Sequence, residues 1–226
     1  MTQFFFSNAL LSAATFAFAA NAQQTVTYGS SVKLHAVADN KNFYLSAISM
    51  QWNGRPQDHD IVSAMNDETR AEVFWTIMTS SLDSPKLSSQ PVFCGSSVRF
   101  SQAVSGKHLN SDRSFTAPLS GFSDVAATSA DSPNGDFFVE CESDIWRMGD
   151  GVSLRHAISG GYLGVSSGLS FNEYNCQRCP MNGDLEVSVS EANARVRWVV
   201  GGGVIIHELQ ELDAEDPRTR QSRDEL

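Results

Sequence analysis

Ser166 sits inside Gly164-Val165-Ser166-Ser167-Gly168, a match to the G-x-S-x-G pattern that presents a nucleophilic serine. Asp184 and His207 follow it in the chain order of a hydrolase triad. That chemistry needs a sharp strand-to-helix turn at the top of a parallel sheet, and here a Ser/Gly turn follows a β-type segment with no helical period after it. His207-Glu208 opens like the zinc motif H-E-x-x-H, but Glu211 stands where the second imidazole belongs. Asp58 with Asp60, and Asp67 with Glu68, are close carboxylates in polar turns and read as turn-solvating groups. With no phosphate loop and no dinucleotide fingerprint, the reading is of a protein without a catalytic centre, cofactor or metal.

Four cysteines remain, Cys94, Cys141, Cys176 and Cys179, which allow three pairings in an oxidising compartment. The pair Cys176 and Cys179 has C-x-x-C spacing, which suits a local disulfide that stiffens a loop, a redox dithiol or half of a zinc site. A redox dithiol wants a helix N-terminus and zinc wants a second ligand pair, neither of which the sequence offers, so a local disulfide is expected.

The elements that must carry these residues are repeated. Residues 149–165 read GDGVSLRHAISGGYLGV, and the pattern recurs as GSSVKLHAVADNKNFYLS over 29–46 and GSSVRFSQAVSGKHLNS over 95–111. Val32/Leu34, Val98/Phe100 and Val152/Leu154 open each copy; Leu45, Leu109 and Leu163 close it. A third apolar segment follows at Val62, Val125 and Val187, and a fourth ends each repeat on an aromatic, at Trp75, Phe138 and Trp198. The third and fourth segments lie 13, 13 and 11 residues apart. Four short strands three times over predict an all-β chain of about twelve strands around one shared core, since no single repeat could bury its own apolar face. The closing aromatics are expected to be core plugs. Cys94 precedes the second repeat and Cys141 follows its last strand, so first and last strands lying together would pair them across 47 residues. Between Leu163 and Val187 there are 24 positions, against 17 and 16 in the other repeats, so Cys176 and Cys179 ride on an insertion.

The expected organisation is a signal peptide over residues 1–22, repeats over about 25–80, 90–142 and 147–200 within 23–203, and an extension over 204–226. The first 22 residues carry no charged side chain and end in Ala20-Asn21-Ala22, a small-x-small cleavage pattern. Gly201-Gly202-Gly203 is expected to break the sheet, Val204 to Leu212 to form a short helix or packed strand, and 213–222 to be a tether. The last four residues, Arg223-Asp224-Glu225-Leu226, closely match a K-D-E-L retrieval signal. Together these ends predict a resident of the endoplasmic reticulum lumen, with no membrane span once the signal is cleaved and a retrieval receptor as a partner. A net charge of −10 argues against nucleic acid as a partner.

Gly-x-x-Val-x-Leu, then Tyr/His-Leu-x-Ser, then a closing Trp-x-Ile resembles the MIR repeat, and three of these between two targeting signals resemble the stromal cell-derived factor 2-like proteins. The resemblance covers about residues 25–200. It implies a β-trefoil and a non-enzymatic adaptor in lumenal folding and quality control, associated with a J-domain co-chaperone and, through it, the lumenal heat-shock ATPase, to hold misfolded clients. Candidate surfaces are the stretch 49–60, with Trp52, and the insertion 166–184. The alternative is recognition of mannose-type glycans, because trefoils often bind sugars and MIR repeats occur in protein O-mannosyltransferases. Tyr162, or Tyr174 with Asn172 and Asn175, would supply the aromatic and amide groups for that.

Overall fold

The computed structural model describes residues 23–178 and 180–207. The expected signal peptide, Cys179, and everything from Glu208 through the tether to the retrieval signal lie outside them. Among the described residues no helix is long and apolar enough to cross a membrane.

Among the described residues, twelve strands form one continuous sheet. The first repeat contributes β1 (Ser31–Ala38), β2 (Lys41–Ile48), β3 (Asp60–Met65) and β4 (Phe74–Thr79). The second contributes β5 (Ser97–Gln102), β6 (His108–Thr116), β7 (Ser123–Thr128) and β8 (Asp136–Glu140). The third contributes β9 (Gly151–His156), β10 (Tyr162–Ser170), β11 (Leu185–Ser190) and β12 (Trp198–Val204). A single 3₁₀ turn precedes the last strand of the first two repeats, at Ala71–Val73 and Pro133–Gly135, and another at Glu191–Asn193 stands four residues before β12.

Each repeat pairs its first strand with its last and with the last strand of the repeat before it. The antiparallel pairs β1–β4, β4–β5, β5–β8, β8–β9, β9–β12 and β12–β1 therefore run in a closed ring of six strands. The other six strands form hairpins whose outer members meet as β3–β7, β7–β11 and β11–β3. Closure leaves no open edge on the ring, which removes the usual template for aggregation.

The same three-fold order runs through the short segments that lead into each repeat. Val92 N–H donates to the carbonyl of Val26, Trp146 N–H to Val92, and Val26 N–H to Trp146, at 3.0, 2.9 and 2.9 Å. A glycine then turns the chain into the ring strand. Gly29, Gly95 and Gly149 have φ of 81°, 86° and 84°, a region that other residues enter only at a cost. Their N–H groups donate to Ile77, Val139 and Val200 on the closing strands.

The inward residues of all twelve strands make one core. Val32, Leu34, Trp75, Val98, Phe100, Val152, Leu154 and Trp198 are fully buried within it. Trp75 and Trp198 act as the expected plugs, whereas in the second repeat Phe137 fills this role and Phe138 is only half-buried. Cys94 and Cys141 form a disulfide with Cα atoms 5.5 Å apart, joining the lead-in segment of the second repeat to the residue after β8.

Gly201-Gly202-Gly203 does not break the sheet. β12 runs through all three to Val204 and pairs with β1, because the ring closes only if it does. The register jumps between Lys33↔Gly202 and Leu34↔Val200, which leaves Gly201 as the extra residue of a bulge. A Cβ there would lie 2.6 Å from His35 Nδ1, and one on Gly203, at φ 136°, would lie 2.7 Å from Val32 Cα. The glycines let β12 lie this close to β1. Beyond the strand, Ile206 is held by Thr27 Oγ1 donating to its carbonyl and by its own N–H donating to Ser30 Oγ, at 2.6 and 3.0 Å.

Candidate functional site

The residue just before each aligned valine of β3, β7 and β11 is Ile61, Asp124 and Glu186, and all three are buried. Each is covered by the hairpin loop of the preceding repeat, with different chemistry in each case. From the first loop, Arg55 forms an ion pair with Asp124 at 2.9 Å, donates to the Thr116 carbonyl, and stacks its guanidinium 4.7 Å from the Phe115 ring. From the second, the N–H groups of Leu119 and Ser120 donate to the two oxygens of Glu186 at 2.5 and 3.0 Å. From the third, Phe171 and Met181 pack on Ile61.

The two candidate loops meet at this last contact. Trp52 lies with its ring 5.5 Å from Phe171 and joins Ile48, Leu119 and Cys176 around the buried trio Ile61, Phe171 and Met181. It is half-buried and serves as a wedge between repeats rather than an open platform. The first loop is further tied down by Asp58, which accepts from the N–H and hydroxyl of Ser129 at 2.7 Å each. Lys107 ion-pairs with both Asp58 and Asp60, at 3.4 and 2.8 Å. Those carboxylates brace the loop, and the Ser129 hydrogen bonds hold Asp58 below its ordinary pKa.

In the insertion the two amides are consumed locally. Asn172 Oδ1 accepts from the N–H groups of Tyr174 and Asn175, and Asn175 Oδ1 accepts from Asn172 N–H. Asn175 Nδ2 donates to the Ser170 carbonyl at 3.0 Å. Tyr174 is left 97% exposed at the tip. Tyr162 is half-buried in β10, opposite Ser190 and Arg155. Cys176 is disulfide-bonded, and Cys179, its expected partner, lies outside the described residues.

A cleft of about 290 Å³ opens where the insertion ends beside the first repeat. Met50, Met65, Asp67, Arg70, Met181 and Asp184 are among the groups that line it. Arg70 pairs with Glu72 at 3.0 Å, which draws the Glu72 carboxyl down, and Asp67 is drawn down by the hydroxyl and N–H of Thr69. Asp184 behaves oppositely. Burial raises its pKa to about 6, opposed by a 2.8 Å hydrogen bond from Ser63 Oγ and by the charge of Arg70.

The hydrolase pattern does not assemble. Asp184 is bonded to Ser63, His207 Nε2 lies 2.7 Å from Gln24 Nε2, and Ser166 is an exposed residue of β10. Glu208 and Glu211 lie outside the described residues. Among the described residues no three His, Cys, Asp or Glu side chains converge as metal ligands would. Sequence reasoning missed the Arg55–Asp124 pair and the Asp184 cleft. Aligning the residue before each repeat's third-segment valine would have exposed Asp124 and Glu186 as charges at a core position.

No family model matches the chain. It is 29% identical over 120 residues to stromal cell-derived factor 2-like protein 1 of Mus musculus and 28% to that of Homo sapiens, covering 51% of this chain and 51% of each relative. The chain thus spans about half the length of the curated relatives it matches. Among solved structures, a Caenorhabditis elegans protein of unknown function superposes with a TM-score of 0.69 at 27% identity, over 81% of this chain and 99% of the other. The SDF2-like protein of Arabidopsis thaliana gives 0.70 at 20% identity, over 82% and 99%. The Saccharomyces cerevisiae protein O-mannosyltransferase Pmt1-Pmt2 complex bound to the sugar donor gives 0.65 at 18% identity, over 84% of this chain and 27% of that one. At 20% and 18% identity the last two likenesses speak to fold alone.

Proposed function

We propose that this chain, similar in sequence and in fold to the stromal cell-derived factor 2-like proteins, is a β-trefoil of three MIR-type repeats acting as a non-enzymatic adaptor in the endoplasmic reticulum lumen. In this reading it works with a J-domain co-chaperone and the lumenal heat-shock ATPase to hold misfolded clients, and its C-terminus meets a retrieval receptor. The observation that carries the reading is the 29% identity to stromal cell-derived factor 2-like protein 1 across half the chain. The ring of six strands closed by three hairpins is the arrangement a trefoil requires, and of the hydrolase pattern Asp184 and His207 are engaged elsewhere while Ser166 stands exposed on β10. With no nucleotide fingerprint in the sequence, energy input falls to the partner ATPase.

The test is affinity capture from a lumenal extract using the chain with its native C-terminus. Recovery of a J-domain protein together with the heat-shock ATPase, unaffected by free sugars, is the expected result. Recovery of mannose-bearing glycoproteins alone, released by free mannose, would overturn it in favour of a carbohydrate-binding module. Similarity to a mannosyltransferase complex keeps that second reading in view. Against it, the amides of Asn172 and Asn175 are spent inside their own loop and Trp52 is packed.

A further inference from the structure

We propose that the cleft beside Asp184 receives a lysine or arginine side chain presented by an extended segment of a partner polypeptide. The inference deepens the adaptor reading, on which it rests for the identity of that polypeptide as a client.

The walls define the guest. Met50, Met65 and Met181, three of the chain's six methionines, line this one cleft. Methionine is flexible and polarizable and adapts to varied apolar shapes, such as the alkyl stem of a long basic side chain. About 290 Å³ suits one side chain rather than a drug-sized ligand.

Charge then selects the head group. Asp67 is engaged by Thr69, and Glu72 by Arg70. Asp184 accepts a hydrogen bond from Ser63, yet among the described residues no cation lies within ion-pair distance of it. Arg70, paired with Glu72, acts on Asp184 only from beyond ion-pair distance, so the partly buried carboxylate still lacks a contact cation, a cost that an incoming ammonium or guanidinium removes.

Other guests fit less well. A metal ion would want three converging ligands, which are absent among the described residues. An anion would meet Asp67, Glu72 and Asp184, while Arg70, the one lining cation among the described residues, is already paired. A sugar would want an aromatic face, and among the described residues no aromatic ring lines the cleft.

The experiment titrates the full chain with the capped peptide Gly-Ser-Leu-Lys-Leu-Ser-Gly and with versions carrying arginine, norleucine or acetyl-lysine at the centre, read by amide resonances. Lysine and arginine peptides should shift the resonances of Ser63, Arg70 and Asp184, and bind at least tenfold tighter than the two uncharged ones. Asp184→Asn should abolish that preference while keeping the fold, and Met50→Ser should weaken all four peptides alike. Equal affinity for lysine and norleucine peptides, shifts confined to other surfaces, or a preference that survives Asp184→Asn would each overturn the proposal. The two readings fail separately. Basic-peptide selectivity without capture of a J-domain protein removes the adaptor and leaves the cleft, and capture without selectivity does the reverse.

Discussion

Trp75 donates its indole N–H to the main-chain carbonyl of Leu45 at 2.9 Å, deep in the core. The third repeat makes the same bond from Trp198 to Leu163, also at 2.9 Å. A closing-strand tryptophan thus ties the ring to the hairpin of its own repeat, which a phenylalanine at that position cannot do. The aligned residue of the second repeat is Phe137, fully buried but without a donor.

Trp75→Phe should therefore cost more than its lost area. It leaves a buried carbonyl short of a donor, worth about 1–3 kcal/mol, in addition to a small cavity. Urea unfolding monitored by circular dichroism should show Trp75→Phe and Trp198→Phe destabilised by similar amounts. Phe137→Leu should lose packing alone and fall less.

The three-fold arrangement was legible because it is written in short-range terms. Gly29, Gly95 and Gly149 punctuate the sequence, and the alternating pairs Val32/Leu34, Val98/Phe100 and Val152/Leu154 carry a period of two. Cys94 and Cys141 could be joined because ring closure puts the two ends of a repeat together. What stayed hidden crosses between repeats. Arg55 and Asp124 are 69 positions apart, and nothing in either neighbourhood announces the other. Gly201 to Gly203 read as a break because local propensity was weighed without the demand that β12 close against β1. Trp52 read as a surface group for a similar reason, since its partner Phe171 belongs to a distant insertion.

The Cys94–Cys141 bridge closes 47 residues. On the chain-entropy account such a loop contributes about 4 kcal/mol. The double variant Cys94→Ala/Cys141→Ala should unfold at lower urea concentration by that order. Full-strength reductant on the wild-type protein, which also opens the Cys176 disulfide, should lower the midpoint at least as far, and an unchanged midpoint in the double variant would remove the Cys94–Cys141 bridge as a source of stability.

Burial raises the pKa of Asp124 even with Arg55 beside it, the guanidinium opposing the rise. Removing the guanidinium leaves a buried carboxylate uncompensated, so Arg55→Met should cost about 2–4 kcal/mol at neutral pH. Asp124→Asn in the same chain should recover part of the loss. A double-mutant cycle measures the coupling, and strict additivity would show that the first loop does not brace the second repeat through this pair.

Asp184 should give the protein a distinct pH dependence. Its folded-state pKa of about 6 lies above the ordinary 3.8, so between roughly pH 4 and 6 the folded chain holds a proton that the unfolded chain has released. Stability from this group is therefore present at low pH and lost as pH rises through about 6. The displacement corresponds to at most about 3 kcal/mol, and contact with water on the open side reduces it to roughly 1–2 kcal/mol. Asp58, Asp67 and Glu72, whose pKa values are lowered, act in the opposite sense, and Asp124 in the same sense, but all are common to wild type and variant. The informative quantity is the difference in unfolding free energy between Asp184→Asn and wild type across pH 4 to 8. Asparagine can keep a hydrogen bond with Ser63 without a charge, so the variant should gain on the wild type as pH rises and level off above about 7. A difference that does not change with pH would place the Asp184 carboxylate in water rather than in the wall of the cleft.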